Sequence, residues 1–297
     1  MSQPRQVLRS QFYLITRTCT QRQYLLRPDD ETTNAFTYCL AEAAKRFGID
    51  VVISVVEANH HHTVIFDRDG RYPEFIEHLH KMFARCQNAR LGRWENLWSS
   101  EEACVTRLVD RETVIAKVVY AASNPVKDGL VERATQWPGL NGYRQLLSGA
   151  QLRAHRPRHF FRADGRMPAV VTLRLVIPPE LGDAREVVDA VRDGVEEVER
   201  RQRELRARTG ARVVGRARLR RLSWRDAPQS ERPRRGLRPR FAGGVVARVD
   251  ALSEYREFLA AYRTARREWL EGRAWRFPPG TYWLARFTPV TCAPPSA

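Results

Sequence analysis

The sequence predicts an α+β fold: an antiparallel sheet carrying helices, followed by a basic extension. Three observations predict it. In the first half, apolar residues recur at helical spacing in some stretches and run together or alternate in others. These stretches follow one another as strand, helix, strand, strand, helix, weak strand and a third helix. That is the order of a ferredoxin-like sandwich with helices on one face of the sheet and one helix added. From about residue 148 to 168 the pattern dissolves into Arg, His, Pro and Gly, the composition of a boundary. The predicted organisation is a domain over 1–150, a linker over 151–168 and a basic α+β extension over 169–297.

Residues 1–7 read as a disordered start. Phe12, Leu14 and Ile15 mark a first strand within 8–18. Asp29 and Asp30 can cap a helix over about 30–47, whose stripe is Phe36, Leu40, Ala43, Ala44 and Phe47, with Gly48 as its stop. Val51 to Val56 is a buried strand, and His60 to Phe66 forms a hairpin with it. Phe75, Ile76, Leu79, Met82 and Phe83 predict a helix over 72–91. Trp94 and Trp98 suit packing or base stacking, with packing the stronger reading. Residues 103–108 are weakly strand-like, and 110–123 form a third helix. Pro125 disfavours helical geometry at Asn124 and places it at the frayed end.

In the second half, Val170 to Ile177 reads as a strand and 183–208 as a charged helix. Residues 212–220 nearly alternate, which reads as a strand with Arg212, Arg216, Arg218 and Arg220 on one face. Residues 224–240 read as a flexible loop, 245–249 as a strand, 252–271 as a helix and 281–287 as a last strand. Pro294-Pro295 opens a disordered tail.

Fifty-one Lys and Arg against 34 acids give a net charge of +17, which favours a polyanionic partner, most simply nucleic acid. A GC-rich genome explains Arg in place of Lys but not the surplus over acids. Five scattered cysteines include no Cys-x-x-Cys pair, so neither a zinc knuckle nor a disulfide framework is indicated. The sequence carries no signal-peptide pattern and no run of membrane-spanning length. A reduced, cytoplasmic protein is expected.

The chemistry concentrates at His60-His61-His62. On a strand, His60 and His62 share a face and His61 points opposite. Two co-facial imidazoles can hold adjacent corners of a metal's coordination sphere. His78-Leu79-His80 has the same spacing, but it lies on a helix, where i and i+2 do not share a face. A solvated face or a structural contact is the reading there. His155 and His159 are separated by Pro157, which argues for a linker. On the third helix, Lys117, Tyr120 and Asn124 fall on the side away from Ile115, Val118, Val119 and Ala122. Taken singly, Tyr120 reads as an amphipathic tyrosine and Asn124 as a helix cap.

Asn59-His60-His61-His62 resembles the Asn-His-apolar-His strand of IS200-like single-tyrosine (Y1, HUH-type) transposases. Tyr120 to Asn124, continued by Pro125-Val126-Lys127-Asp128-Gly129-Leu130-Val131, resembles the Tyr/Asn-Pro stretch of the branch associated with repetitive extragenic palindromes. Arg17-Thr18, Tyr24 to Pro28 and Leu91 to Trp98 support it, and the resemblance spans about 8–147. It implies a Y1 fold and a divalent ion, Mg²⁺ or Mn²⁺, held by His60, His62 and Asn124. It implies that Tyr120 attacks phosphorus to give a 5′-phosphotyrosine. The implied substrate is single-stranded DNA beside a hairpin, met in the bacterial cytoplasm at the nucleoid by a monomer or homodimer. A phenol with a pKa near 10 is a weak nucleophile, and Lys117 is a candidate to support it or the phosphate.

His61 departs from the pattern, because an apolar residue is usual there. It faces the helix-covered side, where a neutral imidazole needs a partner. Glu57 also departs and reads as a strand-end surface residue. The first reading is a metal-dependent nickase or strand transferase. The alternative is an inactive or domesticated relative that binds nucleic acid without cutting. A metal-binding regulatory protein is a third reading, which the charge opposes.

Overall fold

A computed structural model describes residues 4–230, 238–273 and 275–294. The expected tail from Pro295 and the middle of the 224–240 loop lie outside the described residues. The first half runs β1 (Gln11–Thr18), α1 (Asp30–Phe47), β2 (Ile49–Val56), β3 (His60–Asp67), α2 (Tyr72–Leu91), β4 (Cys104–Leu108) and α3 (Arg111–Lys127). After it come α4 (Tyr143–Ser148), β5 (Leu152–His155), β6 (Val170–Leu173), α5 (Ala184–Thr209) and α6 (Arg216–Arg220). The chain ends with β7 (Phe241–Ala242), α7 (Val245–Leu270), β8 (Arg276–Phe277), α8 (Trp283–Phe287) and β9 (Thr291–Cys292).

Five strands form the main sheet in the order β2-β3-β1-β4-β7. The first four are antiparallel neighbours, the pairing expected for a ferredoxin-like sandwich. β7, from the second half, adds in parallel to β4. Helix ends follow the sequence signals: Asp29 Oδ1 accepts from Thr32 N at 2.7 Å, and Gly48 closes α1 in the left-handed region.

Helices cover both faces rather than one. Tyr13, Ile15, Val51 and Ile65 meet α1 and α2 on one side. Phe12, Leu14, Val64 and Phe66 meet Val114, Val118 and Ala121 of α3 on the other. Odd residues of β3 therefore face α1 and α2, and even ones face α3. Outside α3 lies α5, whose Val187, Val191 and Val195 are buried in the same core. Gly194 lets the two helices close up, since a Cβ there would sit 2.7 Å from Val119 Cγ2.

The boundary near 150 does not appear as a break in packing. The 151–168 segment contains β5, which pairs with β6, and Leu152 and Leu173 join the core under α1. Along the outer side of β2, Val56 N donates to Leu140 O, Gly142 N to Ser54 O and Val176 N to Val51 O, at 2.8–2.9 Å. Nor is the amino end free at Val7, which is buried and bonded to Gly280.

Three predicted strands of the second half are not strands. Residues 212–220 hold an irregular stretch and α6. There Val214 N and Gly215 N donate to the carbonyls of Gly129 and Leu130, so the arginine alternation does not lie on a sheet. Residues 245–249 open α7, with Val245 and Val246 largely exposed. Residues 283–287 form α8. β-branched and aromatic runs are only a weak prior, which tertiary setting overrides.

Candidate active site

The site forms where β3 starts and α3 ends. Each needs its neighbours to get there. α3 does not fray at Asn124: it continues through Pro125 to Lys127, because Ser123, Asn124, Pro125 and Val126 are all buried. Packing holds a turn that Pro125 alone would loosen. Asp128 N then bonds back to Asn124 O at 2.9 Å.

The structure brings His60, His62, Tyr120 and Asn124 together. The His60 and His62 rings lie 4.8 Å apart, centre to centre, and the Tyr120 ring is 5.2 Å from His62. His60 Nδ1 donates to Asn59 Oδ1 at 2.8 Å, leaving a lone pair on Nε2. Asn124 Nδ2 stands 3.4 Å from that Nε2. His62 Nδ1 meets Thr16 Oγ1 at 2.8 Å, while its Nε2 is buried without a hydrogen-bond partner. Orienting bonds of this kind, on the ring nitrogen away from the metal, accompany histidine ligands. Burial pushes His60 down to about 4, with the Arg22 charge adding to it. Burial also holds His62 well below its ordinary value, helped by His60, His61 and the two nearby lysines. Both are therefore neutral at pH 7, the form that binds metal.

A divalent ion fits this donor set. Two neutral imidazoles lie side by side with each Nδ1 engaged by a neighbouring side chain, the Nε2 of His62 is orphaned, and the Asn124 amide stands beside the Nε2 of His60. Among the described residues no group of three or more His, Cys, Asp or Glu side chains is placed to hold a metal, and the further polar group beside this histidine pair is the Asn124 amide.

Lys117 Nζ lies over the Tyr120 ring at 5.5 Å, and Lys127 Nζ lies closer, at 4.7 Å. Lys127 comes from the turn that Pro125 was expected to fray. Burial holds the Tyr120 phenol above its ordinary value, and the charges of Asp128 and Glu57 add to this. The Lys127 ammonium is lowered, by burial first and then by Lys117.

Glu57 is no surface residue. It is 3% exposed, and its Oε1 accepts from Asn124 Nδ2 at 2.8 Å. Burial and the neighbouring Asp128 carboxyl push it up to about 8. Asp128, on the solvent side of that pair, is raised too, chiefly by burial. Glu57 and Thr16 were not singled out from the sequence as site residues. The departure of Glu57 from the resembling family's pattern was the signal available for it. Nothing in the sequence marks Thr16.

On the opposite face, His61 is fully buried, and its Nε2 pairs with His80 Nε2 at 2.8 Å. Its Nδ1 meets Thr63 Oγ1 at 3.1 Å, and Arg17 reaches His80 Nδ1 at 3.2 Å. His80 is thus the partner that His61 needs, and His78 is held by Glu42 at 2.5 Å. Both helix histidines make structural contacts. His159 meets Cys86 Sγ at 3.3 Å, away from His155, whose backbone pairs with Asn34. Trp98 packs against His61 and His80, whereas Trp94 stands in solvent.

No family model matches the sequence, and no curated protein matches it. Solved structures similar to the chain include two transposases. One is a REP-associated tyrosine transposase bound to a REP hairpin, 17% identical, with a TM-score of 0.42, over 57% of this chain and 93% of that one. The other is a candidate transposase from Deinococcus radiodurans R1, 20% identical, with a TM-score of 0.28, over 35% of this chain and 84% of that one. Among the described residues no helix is long and apolar enough to cross a membrane.

Proposed function

We propose that the chain is a metal-dependent nickase and strand transferase of the Y1 transposase kind, acting on single-stranded DNA beside a hairpin. The observation that carries this reading is the meeting of Tyr120 and Asn124, from the end of α3, with the His62 ring and His60 Nε2 on β3. His60, His62 and Asn124 would hold a Mg²⁺ or Mn²⁺ ion, which when bound supplies charge to polarise the scissile phosphate. Tyr120 Oη attacks phosphorus. The phenol gives up its proton, the bond from phosphorus to the 3′ oxygen breaks, that oxygen takes up a proton and leaves as the 3′-hydroxyl, and a 5′-phosphotyrosine remains. Its ester keeps the bond energy for rejoining. Lys127 and Lys117 favour the phenolate by their charge. Asn59 and Thr16 keep the histidine rings turned.

The net charge of +17 supports a nucleic-acid substrate. The test is a denaturing gel of the protein incubated with labelled single-stranded hairpin DNA and Mn²⁺. A covalent adduct is expected and is expected to vanish in Tyr120→Phe. An adduct that persists in Tyr120→Phe removes Tyr120 as the nucleophile. Salt-sensitive binding without an adduct, unchanged in His60→Ala/His62→Ala, supports the non-cutting alternative.

A further inference from the structure

The structure assigns a role to one segment of the second half. We propose that residues 222–230, with Arg22, Arg93 and Trp94, form a surface for single-stranded DNA beside the His60 end of the site. The proposal rests on the functional reading above and names where the strand runs.

The segment has no regular structure of its own. It is tied down by the 22–27 loop of the first half. Tyr24 N donates to Asp226 O at 2.9 Å, and Arg27 Nη1 to Leu222 O at 3.3 Å. Arg22 Nη1 and Nη2 hold Ser230 through its carbonyl and hydroxyl at 2.5 and 3.1 Å. The same loop is joined to the site. Leu26 N donates to Ala58 O at 2.9 Å, and Asn59, which orients His60, donates its side-chain N–H to Arg22 O at 3.2 Å. Gln21 and Arg22 sit at φ 48° and 57°. Non-glycine residues hold that conformation only where their surroundings fix it. The loop is a built connection between this segment and the catalytic histidines.

The surface it makes is aromatic and cationic. The half-buried Trp224 ring, packed against the core, carries two guanidinium groups over it, Arg225 at 4.6 Å and Arg93 at 5.4 Å from its centre. Trp94, next to Arg93, is 90% exposed. Asp226 and Glu95 are the acids nearby along the chain, fewer than the arginines. Protein interfaces gather charge at the rim around an apolar centre. Here Arg93 and Arg225 lie over the Trp224 ring itself, and Trp94 follows Arg93 in the chain. Aromatic faces interleaved with cations suit a single strand, whose unpaired bases stack while its phosphates meet arginine. A duplex keeps its bases stacked on each other and has none to offer Trp94.

The experiment measures binding to a fluorescein-labelled single strand, to the duplex of the same sequence and to the matching RNA strand, all in EDTA. Exposed Trp94 and Arg225 can be changed without opening the core. Trp94→Ala is expected to weaken single-strand binding by about tenfold, the loss of one stacked base. Arg225→Ser is expected to weaken it and lower its salt dependence, with duplex binding little changed in both. Unchanged single-strand affinity in both variants overturns the proposal. An equal loss on the duplex, or tighter binding of the RNA, overturns the assignment to single-stranded DNA. Because no metal is present, the result is separate from catalysis. A failed adduct test in the wild type leaves this measurement able to succeed or fail alone, whereas a wild type that ignores single-stranded DNA overturns both.

Discussion

Glu57 Oε1 accepts a hydrogen bond from Asn124 Nδ2 at 2.8 Å inside the core of the site. This bond fixes which way the Asn124 amide is turned and commits its nitrogen end. In the proposed metal site Asn124 would bind through Oδ1, since an amide nitrogen has no lone pair to give. Removing the acceptor with Glu57→Met should weaken Mn²⁺ binding by about 10–100-fold, as loss of a ligand-orienting partner does. Glu57→Gln keeps a carbonyl acceptor and should bind nearly as wild type. Calorimetric titration of Mn²⁺ into the three proteins checks this. Equal affinity in the Met variant would refute the orienting role.

Lys127 is the cation nearest the Tyr120 ring. Such a contact is worth about 1 kcal/mol, and the phenolate forming in the reaction should feel it more than the phenol. Lys127→Met should therefore slow single-turnover adduct formation by about fivefold or more. Lys117→Met should slow it less. Rapid-quench kinetics with the labelled hairpin would rank the two lysines, and the reverse order would return the role to Lys117.

His61 and His80 stabilise each other as a pair. Changing His61 to Leu, the apolar type usual at this position in the resembling family, leaves His80 Nε2 buried without its partner. That should cost about 1–3 kcal/mol. His61→Leu with His80→Phe removes both polar groups and should recover most of the loss. Urea unfolding measures both. A His61→Leu protein as stable as wild type would show that the pair contributes nothing.

The same histidines set the response to acid. Burial, with His60 and Arg17 adding, pushes His61 down to about 3, and burial holds His80 well below its ordinary value. The unfolded chain protonates them near 6.5. Stability is therefore full above about pH 6.5 and is lost as pH falls toward about 3, by about 1.4 kcal/mol per unit for each histidine still neutral in the fold. Glu57 works in the opposite sense. Held up to about 8, it costs stability as pH rises from its unfolded value toward that point. Urea midpoints across pH, for wild type and for His61→Leu/His80→Phe, should show the acid slope reduced in the double variant.

Removing everything after residue 150 would strip α5 from α3, the helix that carries Tyr120. A milder probe is Gly194→Val. Its Cβ meets Val119 at 2.7 Å, and the overpacking should cost about 1–3 kcal/mol. Chemical denaturation gives the value. An unchanged midpoint would mean that α5 shifts freely on α3.

The first half was legible because its signals agree. Asp29 and Gly48 bound a helix that the apolar stripe already marks, and period-2 pairing puts His60 and His62 on one face. The same alternation put His61 on the side where His80 waits, but it could not name His80. Glu57 was misread because a carboxylate at a strand end is ordinarily solvated. Only the folded chain brings Asn124 and Asp128 over it. Val245, Val246 and Val249 read as a strand, yet Asp110 Oδ2 accepts from Gly244 N at 2.7 Å and a helix starts there. That contact joins residues 134 positions apart, and no local window contains it.

Both borders of the main sheet carry later chain: Phe241 and Ala242 lie along β4, and residues 140–142 and 176 bond to β2. A second copy that is to extend this sheet must first peel one of these segments away. Strand addition at an open sheet edge is a general way for two chains to join. Here any such addition at β2, or along Arg107 and Leu108 of β4, competes with a segment of the chain's own second half.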